Sequence, residues 1–551
     1  MLTRRNQSNL IFAANERSVM NTAANLLPQA LLRQEKQILW LSLALLFVAM
    51  LLHLGTQPLF LEEPRRIMIA LEMAENGNFW APTELGDFYY KKPPVFNWVL
   101  LVSAWLCGGY SEFAFRLPTV LSTLSLGLLI FWLGRRYVGE RFGALSAMLF
   151  VSGAGILMYF SMLAEIDLFY SLVTFASFLT FFHFYQTQRY WAAFLLMYLL
   201  GAIGTLTKGP PSVLFLGLTI FAWLAWKRDL KRLFSGAHLA GAALYLALLG
   251  GYLYIYSQYN TLANYFPGLW GQSSEMTILE RSFGQLLLHL VNFPLEILKD
   301  LLPATFLLVF AIRRDFWKIV RSNDLILFAI LTFVVNIPAY WVSPGARLRY
   351  IYMLYPMLLY VLVFFYQQQE GVKKWMEQSL RIVSGIVLGA LVVAPLAINF
   401  VPDLDFMQGR LPLSIAFSAI LGLLFWVYLR KPKLTMHLLI LGMIVARILF
   451  DLSVLPQRAH DSGALREKQL AADILKLSGE APLYMYGEGR ISFTSTVYIG
   501  LMRGAALRRK RELQSREYYL AETALLQGRS DYETLLKFEY NGLPHVLLRM
   551  K

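Results

Sequence analysis

Apolar runs of about 17 to 25 residues recur along most of this chain, the length a helix needs to cross about 30 Å of hydrocarbon. A backbone surrounded by lipid must satisfy its own hydrogen bonds, which restricts such runs to helices. Hydrophobic residues make up 57% of the 551 positions and charged residues only 15%, a balance that no soluble globular chain of this length needs. The sequence therefore reads as a polytopic α-helical membrane protein.

The net charge of +15 does not point to nucleic acid, because Lys and Arg fall mostly in short loops between apolar runs. That is the positive-inside pattern. Arg135, Arg136 and Arg141; Lys227, Arg228, Lys231 and Arg232; Arg313 and Arg314; Lys373 and Lys374; and Arg430, Lys431 and Lys433 mark inward ends. Residues 1–37 are polar and basic without a cleavable apolar segment, which predicts a retained cytoplasmic tail. The run 94–107 is too short to span and reads as interfacial or re-entrant, which lets 116–134 descend to the arginines inside. About thirteen crossings follow, the first over 38–54 and others including 211–226, 296–312 and 434–452, and the odd count places the C-terminal part outside.

Three parts are expected: the tail 1–37, a transmembrane domain 38–452 and a small extracytoplasmic α/β domain 453–551. In the last, Leu483 to Tyr486, Phe493 to Ile499 and His545 to Leu548 read as strands, and 464–477 and 517–527 as helices. Cys107 is the only cysteine, which excludes an intrachain disulfide or a Cys-cluster metal site.

Charges that break this pattern carry the functional reading. Glu62 and Glu63, with Arg65 and Arg66, follow the first span, and residues 63–75 pattern as an amphipathic helix at the interface. Lys91 and Lys92 close the same outer loop. Lys208 sits at an outer turn, Thr207-Lys208-Gly209-Pro210-Pro211, and Arg347, Arg349 and Tyr350 lie in another outer loop. Together these bases fit a phosphate-bearing lipid, because guanidinium and ammonium groups bind phosphate through charge-assisted hydrogen bonds. Asp167, embedded in apolar sequence at the outer end of a span, supplies a second acidic site. Carboxylates so placed can act as a general base or steady an oxocarbenium-like centre.

The order Leu61-Glu62-Glu63-Pro64-Arg65, Gly77-Asn78-Phe79-Trp80 and Tyr90-Lys91-Lys92-Pro93-Pro94 resembles the first outer loop of the GT-C glycosyltransferases, nearest to bacterial relatives of protein O-mannosyltransferases and aminoarabinose lipid A transferases. Glu165-Ile166-Asp167, Lys208-Gly209-Pro210, Arg347 to Tyr350 and Tyr355-Pro356 continue the resemblance in order across essentially the whole chain. It implies an inverting transferase at the outer face of a bacterial inner membrane, working as a monomer. The donor would be a polyprenyl-phosphate sugar and the acceptor a lipid A or other glycolipid, a glycan or a protein.

In that reading Glu62, Asp167 and Glu63 are catalytic, and Arg65, Lys92, Arg347, Arg349, Lys208 and Tyr350 bind the donor phosphate. Glu62 stands where the family typically has Asp. Lys91 replaces a Glu associated with a metal in aminoarabinose transferases, so no divalent cation or other cofactor is inferred, and His289 reads as structural.

Other classes fit less well. A lipid or glycan flippase would suit the spans and charges, yet it predicts repeat symmetry that the sequence does not show. A phosphotransferase needs a nucleophile beside clustered metal ligands, and a nucleotide-sugar enzyme of the Rossmann type needs a Gly-rich turn after a strand; neither is visible.

Overall fold

The computed structural model describes residues 30–274, 282–368 and 370–551, so residues 1–29 of the expected tail lie outside the described residues and the first helix begins within the rest of it, at Arg33. Helix α1 (Arg33–Leu51) leads to α2 (Glu63–Asn76), the hairpin β1 (Thr83–Glu84) and β2 (Asp87–Phe88), and α3 (Val95–Leu106). The bundle continues through α4 (Glu112–Tyr137), α5 (Glu140–Val151), α6 (Ala154–Met158), α7 (Ile166–Gln186), α8 (Tyr190–Lys208), α9 (Pro211–Trp226) and α10 (Gly236–Ser257). After α11 (Leu262–Ser274) and α12 (Phe283–Asp300) come α13 (Asp324–Asn336), α14 (Tyr355–Gln367), α15 (Lys374–Val393), α16 (Arg410–Arg430) and α17 (Thr435–His460).

Among the described residues, ten helices are long and apolar enough to cross a membrane, or eleven if the bent pair at Glu140–Val151 and Ala154–Met162 is one span. The expected count of about thirteen also includes 211–226 and 296–312, which this length criterion leaves out. Residues 211–226 do form an apolar helix, but a short one. The run 296–312 is divided: α12 ends at Asp300 and a 3-10 helix covers Ala304–Ala311, with Pro303, which cannot continue a helical ladder, between them.

Small residues and aromatics set the packing. A Cβ on Gly143 would lie 2.5 Å from the Phe131 carbonyl oxygen, so α4 and α5 touch backbone to backbone, as membrane helices do where small residues meet. At the other extreme of size, Trp223 of α9 meets Phe182 of α7 and Phe328 of α13 edge to face, with Trp223 and Phe328 centroids 5.2 Å apart at 90°, while Phe182 and Phe328 are tilted at 33°.

The C-terminal part holds α18 (Gly463–Ser478), β3 (Leu483–Tyr486), α19 (Phe493–Arg503), β4 (Arg508–Lys510), β5 (Tyr518–Glu522), β6 (Tyr532–Tyr540) and β7 (Leu543–Met550). Its sheet has the order β4-β3-β5-β7-β6, with β3 parallel to β4 and β5 and the remaining pairs antiparallel. Met485, Leu520 and Leu547 stand in register on one face and join a core with Ile474 and Val497 of α18 and α19. That core also contains Ile67, Met68, Phe96 and Leu100, so the sheet domain and the loop after α1 are packed as one body.

Two sequence expectations are corrected here. Phe493 to Ile499 is helical, not a strand, and 517–527 contributes the central strand β5 followed by a short 3-10 helix over Thr523–Leu526 rather than one helix. Helix α2 forms as expected, capped by Gly77 at φ 63°, a left-handed conformation that glycine adopts without strain. Its apolar side is covered by protein: Ile67, Met68, Ile69, Ala70 and Met73 are buried, and α19 packs on it.

One polar knot fixes this arrangement. The Arg116 guanidinium on α4 donates to both carboxylate oxygens of Glu63, at 2.9 and 3.0 Å, and to the carbonyls of Leu54, Gln57 and Pro58. Glu63 also accepts the Ala164 amide at 2.7 Å and the Phe60 amide at 3.1 Å. Both side chains are buried, 2% and 0% exposed. Breaking such a pair strands a charge away from water. Arg116→Met is expected to cost about 3–5 kcal/mol, read as a lower unfolding midpoint in detergent, and Glu63→Gln in the same chain is expected to recover part of the loss.

Candidate active site

The site gathers at the end of the bundle where α1 gives way to α2, where α7 begins, where α8 ends, and where residues 348–354 form a 3-10 helix. Glu165 is the N-cap residue of α7 and Asp167 lies in its first turn, where the helix dipole favours negative charge. Lys208 is the last residue of α8, where the dipole favours a cation. The chain then turns through Gly209, at φ 96° and ψ −149°, a conformation open to glycine, and Pro211 starts α9.

These elements bring together groups that are far apart in sequence. The Lys208 ammonium donates to Asp167 Oδ1, and its nitrogen lies 4.2 Å from the Tyr350 ring centroid and 5.0 Å from that of Tyr170. Arg349 pairs with Glu165 through Nη1, and its Nε lies 3.2 Å from Asp167 Oδ2. Asp167, Lys208, Glu165 and Arg349 are all buried. The cluster thus alternates two carboxylates with two cations, so each charge removed from water faces an opposite one.

Glu165 was not singled out from sequence, although it stands in the Glu165-Ile166-Asp167 motif. The missing signal is Arg349, which is 184 positions away and is brought to Glu165 only by the fold. Its Oε1 is buried and accepts no hydrogen bond from the protein. Burial, reinforced by the carboxylates of Asp167, Glu63 and Glu62, raises the Glu165 acid well above the usual carboxylate range in spite of Arg349.

Glu62 and Glu63 are adjacent in sequence but differ in surroundings. Glu63 is fully engaged in the knot with Arg116. Glu62 precedes α2, its side chain is 38% exposed, and its partner is Arg65, whose Nη1 donates at 3.0 Å. Lys92, at the Lys-Pro-Pro entry to α3, makes no ion pair among the described residues but feels the fields of Lys208, Arg66, Asp167 and Glu62. Burial first, then repulsion by Lys208 and Arg66, pushes its ammonium down to about 7. Arg66 is occupied elsewhere, donating to the Tyr89 hydroxyl. Arg347 is exposed beside this cluster, one residue before the 3-10 helix that carries Arg349 and Tyr350.

Other charged positions have structural settings. Glu72 accepts from the Thr83 hydroxyl and the Leu85 and Gly86 amides, which shapes the β1–β2 hairpin. His289 Nε2 lies 3.2 Å from the Tyr340 carbonyl oxygen, and its ring packs on Phe293. No group of three or more His, Cys, Asp or Glu residues poised to hold a metal occurs among the described residues.

Residues 91–255 match the family described as dolichyl-phosphate-mannose-protein mannosyltransferase. An undecaprenyl phosphate-alpha-4-amino-4-deoxy-L-arabinose arabinosyl transferase from Edwardsiella ictaluri is 29% identical over 209 residues, covering 36% of this chain and 37% of the relative. One of the same description from Erwinia tasmaniensis is 31% identical over 193 residues, 34% of each chain. The chain therefore spans about a third of the length of the curated relatives it matches. The crystal structure of ArnT from Cupriavidus metallidurans bound to undecaprenyl phosphate superposes with a TM-score of 0.68 at 16% identity, over 92% of this chain and 97% of ArnT. Its apo form gives 0.65 over the same shares. In fold the chain is similar to ArnT, and in sequence parts of it are similar to the protein mannosyltransferase family, over residues 91–255, and to the aminoarabinose transferases.

Proposed function

We propose that this chain is an inverting glycosyltransferase that moves a sugar from a polyprenyl-phosphate donor to a lipid A or other glycolipid, a glycan or a protein, at the periplasmic face of a bacterial inner membrane. The observation that carries the reading is the convergence of Lys208, Arg349 and the weakly basic Lys92 on Asp167, with Glu62 near the same cluster and half open to solvent. The C-terminal sheet domain then lies on the periplasmic side, and every group invoked comes from a single chain.

The chemistry divides the residues. Both oxygens of Asp167 face cations, so it holds Lys208 and Arg349 in place and leaves their remaining donors for the donor phosphate. Lys92 and Arg347 extend this basic wall, and Tyr350 backs Lys208 with its ring. Glu62 has an oxygen not used by Arg65, and it takes the proton of the acceptor. In the transfer, the acceptor oxygen bonds to the anomeric carbon as the bond from that carbon to the phosphate oxygen breaks. The electron pair leaves on polyprenyl phosphate, where the cations stabilise the added charge. Glu63 contributes by architecture: its knot with Arg116 fixes the backbone that displays Glu62.

Purified protein incubated with polyprenyl-phosphate sugars, an aminoarabinose lipid first among them, and with membrane acceptors is expected to consume one donor and release polyprenyl phosphate. Passage of a labelled lipid across liposomes with no donor consumed would instead support a flippase.

A second prediction follows from Lys92. The donor is a phosphodiester and stays singly anionic across neutral pH, whereas Lys92 loses its charge as pH rises through about 7. Donor kcat/KM is expected to fall over that interval, and Lys92→Arg, whose guanidinium stays charged, is expected to remove this limb of the pH profile.

A further inference from the structure

The sheet domain meets the site at one aromatic side chain. Arg65, in the first turn of α2, lies with its guanidinium carbon 4.2 Å from the ring centroid of Phe493, the first residue of α19. Its Nη1 is held by Glu62, and its Nε is buried with no acceptor in the protein. An orphaned buried donor is uncommon and costly, and a ligand oxygen would satisfy it.

Phe493 is itself rigidly presented. Ser492 caps α19 by accepting the Thr494 amide, and the Thr494 hydroxyl donates to the Leu59 carbonyl. Farther along α19, the Tyr498 hydroxyl accepts the Leu59 amide at 2.9 Å and donates to Glu112 at 2.8 Å, a carboxylate also paired with Lys468 of α18. These contacts lock α19 to the segment immediately before Glu62.

From this geometry we propose that Phe493 is a positioning residue of the transferase: the sheet domain lays an aromatic face under Arg65, keeping its guanidinium beside Glu62 and its Nε edge turned to an anionic oxygen of the substrate. The ring restricts the long Arg65 side chain and excludes water from one face of the cation, which strengthens the remaining contacts. The active site is then shared between the membrane bundle and the sheet domain. The inference rests on the glycosyltransferase reading for its chemistry but not for its geometry.

Two measurements test it. Phe493→Leu is expected to lower donor kcat/KM about three- to tenfold, while Phe493→Tyr, which keeps an aromatic face, stays within about twofold of the unchanged protein. In an Arg65→Gln background the Phe493→Leu step is expected to have less than about a twofold effect, because the ring then has no cation to place. Independently of transfer, a dicarbonyl reagent specific for arginine should modify Arg65 faster in Phe493→Leu, and not in Phe493→Tyr, as followed by peptide mass spectrometry. Equal modification rates in all three proteins, or an undiminished Phe493→Leu effect in the Arg65→Gln background, would overturn the proposal. If the unchanged protein transferred no sugar, the function above would fall while the reagent measurement still decided the placement of Arg65.

Discussion

The buried pair of Glu63 and Arg116 sets the geometry on which the site depends. Arg116 projects from α4 and spends its donors on Glu63 and on three carbonyls, those of Leu54, Gln57 and Pro58, in the segment between α1 and α2. Glu63 in turn takes the Ala164 amide, the residue just before Glu165. A charge pair this enclosed is satisfied only in one arrangement, because every donor or acceptor that shifts is left without water to replace its partner. The knot therefore fixes two places at once: the backbone that displays Glu62, and the entry to α7 that carries Glu165 and Asp167.

A second constraint acts from above. The sheet domain does not hang from the bundle by a tether; it shares a hydrophobic core with α2 and α3. Ion pairs from β4 reinforce this, Arg508 with Glu75 and Arg509 with Asp87. The Arg509 amide also donates to the Leu85 carbonyl, which occupies the exposed edge of β4 with the β1–β2 hairpin. The segment between α1 and α3 is thus clamped from both sides, by Arg116 on one and by α19 and β4 on the other. A preorganised site of this kind loses little freedom when a substrate binds.

Much of this was legible in the sequence. Membrane-length apolar runs and amphipathic patterns depend on local composition, and helices α2, α3, α7 and α8 stand close to where those patterns put them. What was not legible depends on distant partners. Phe493 to Ile499 carries Thr, Val and Tyr, which favour strands, but its Ser492 cap and its packing on α2 make it a helix. Residues 517–527 contain good helix formers, yet Tyr519, Leu520 and Ala521 are buried between β3 and β7, and tertiary pairing prevails over propensity. Glu165 and Asp167 could not be given different partners before Arg349 was placed. Arg116 did leave a signal, a lone cation near the start of a long apolar run, and a charge in that setting has a partner to be found.

The division of the acidic pair is the central claim, with Glu63 in the scaffold and Glu62 at the reaction. It is tested most directly by the single-turnover transfer rate of Glu62→Gln at saturating donor, in protein whose unfolding midpoint and donor binding match the unchanged chain. Loss of a general base predicts a fall of about 100-fold or more. A rate equal to that of the unchanged protein would contradict the assignment and move the base to another carboxylate, with Glu165 the first to examine.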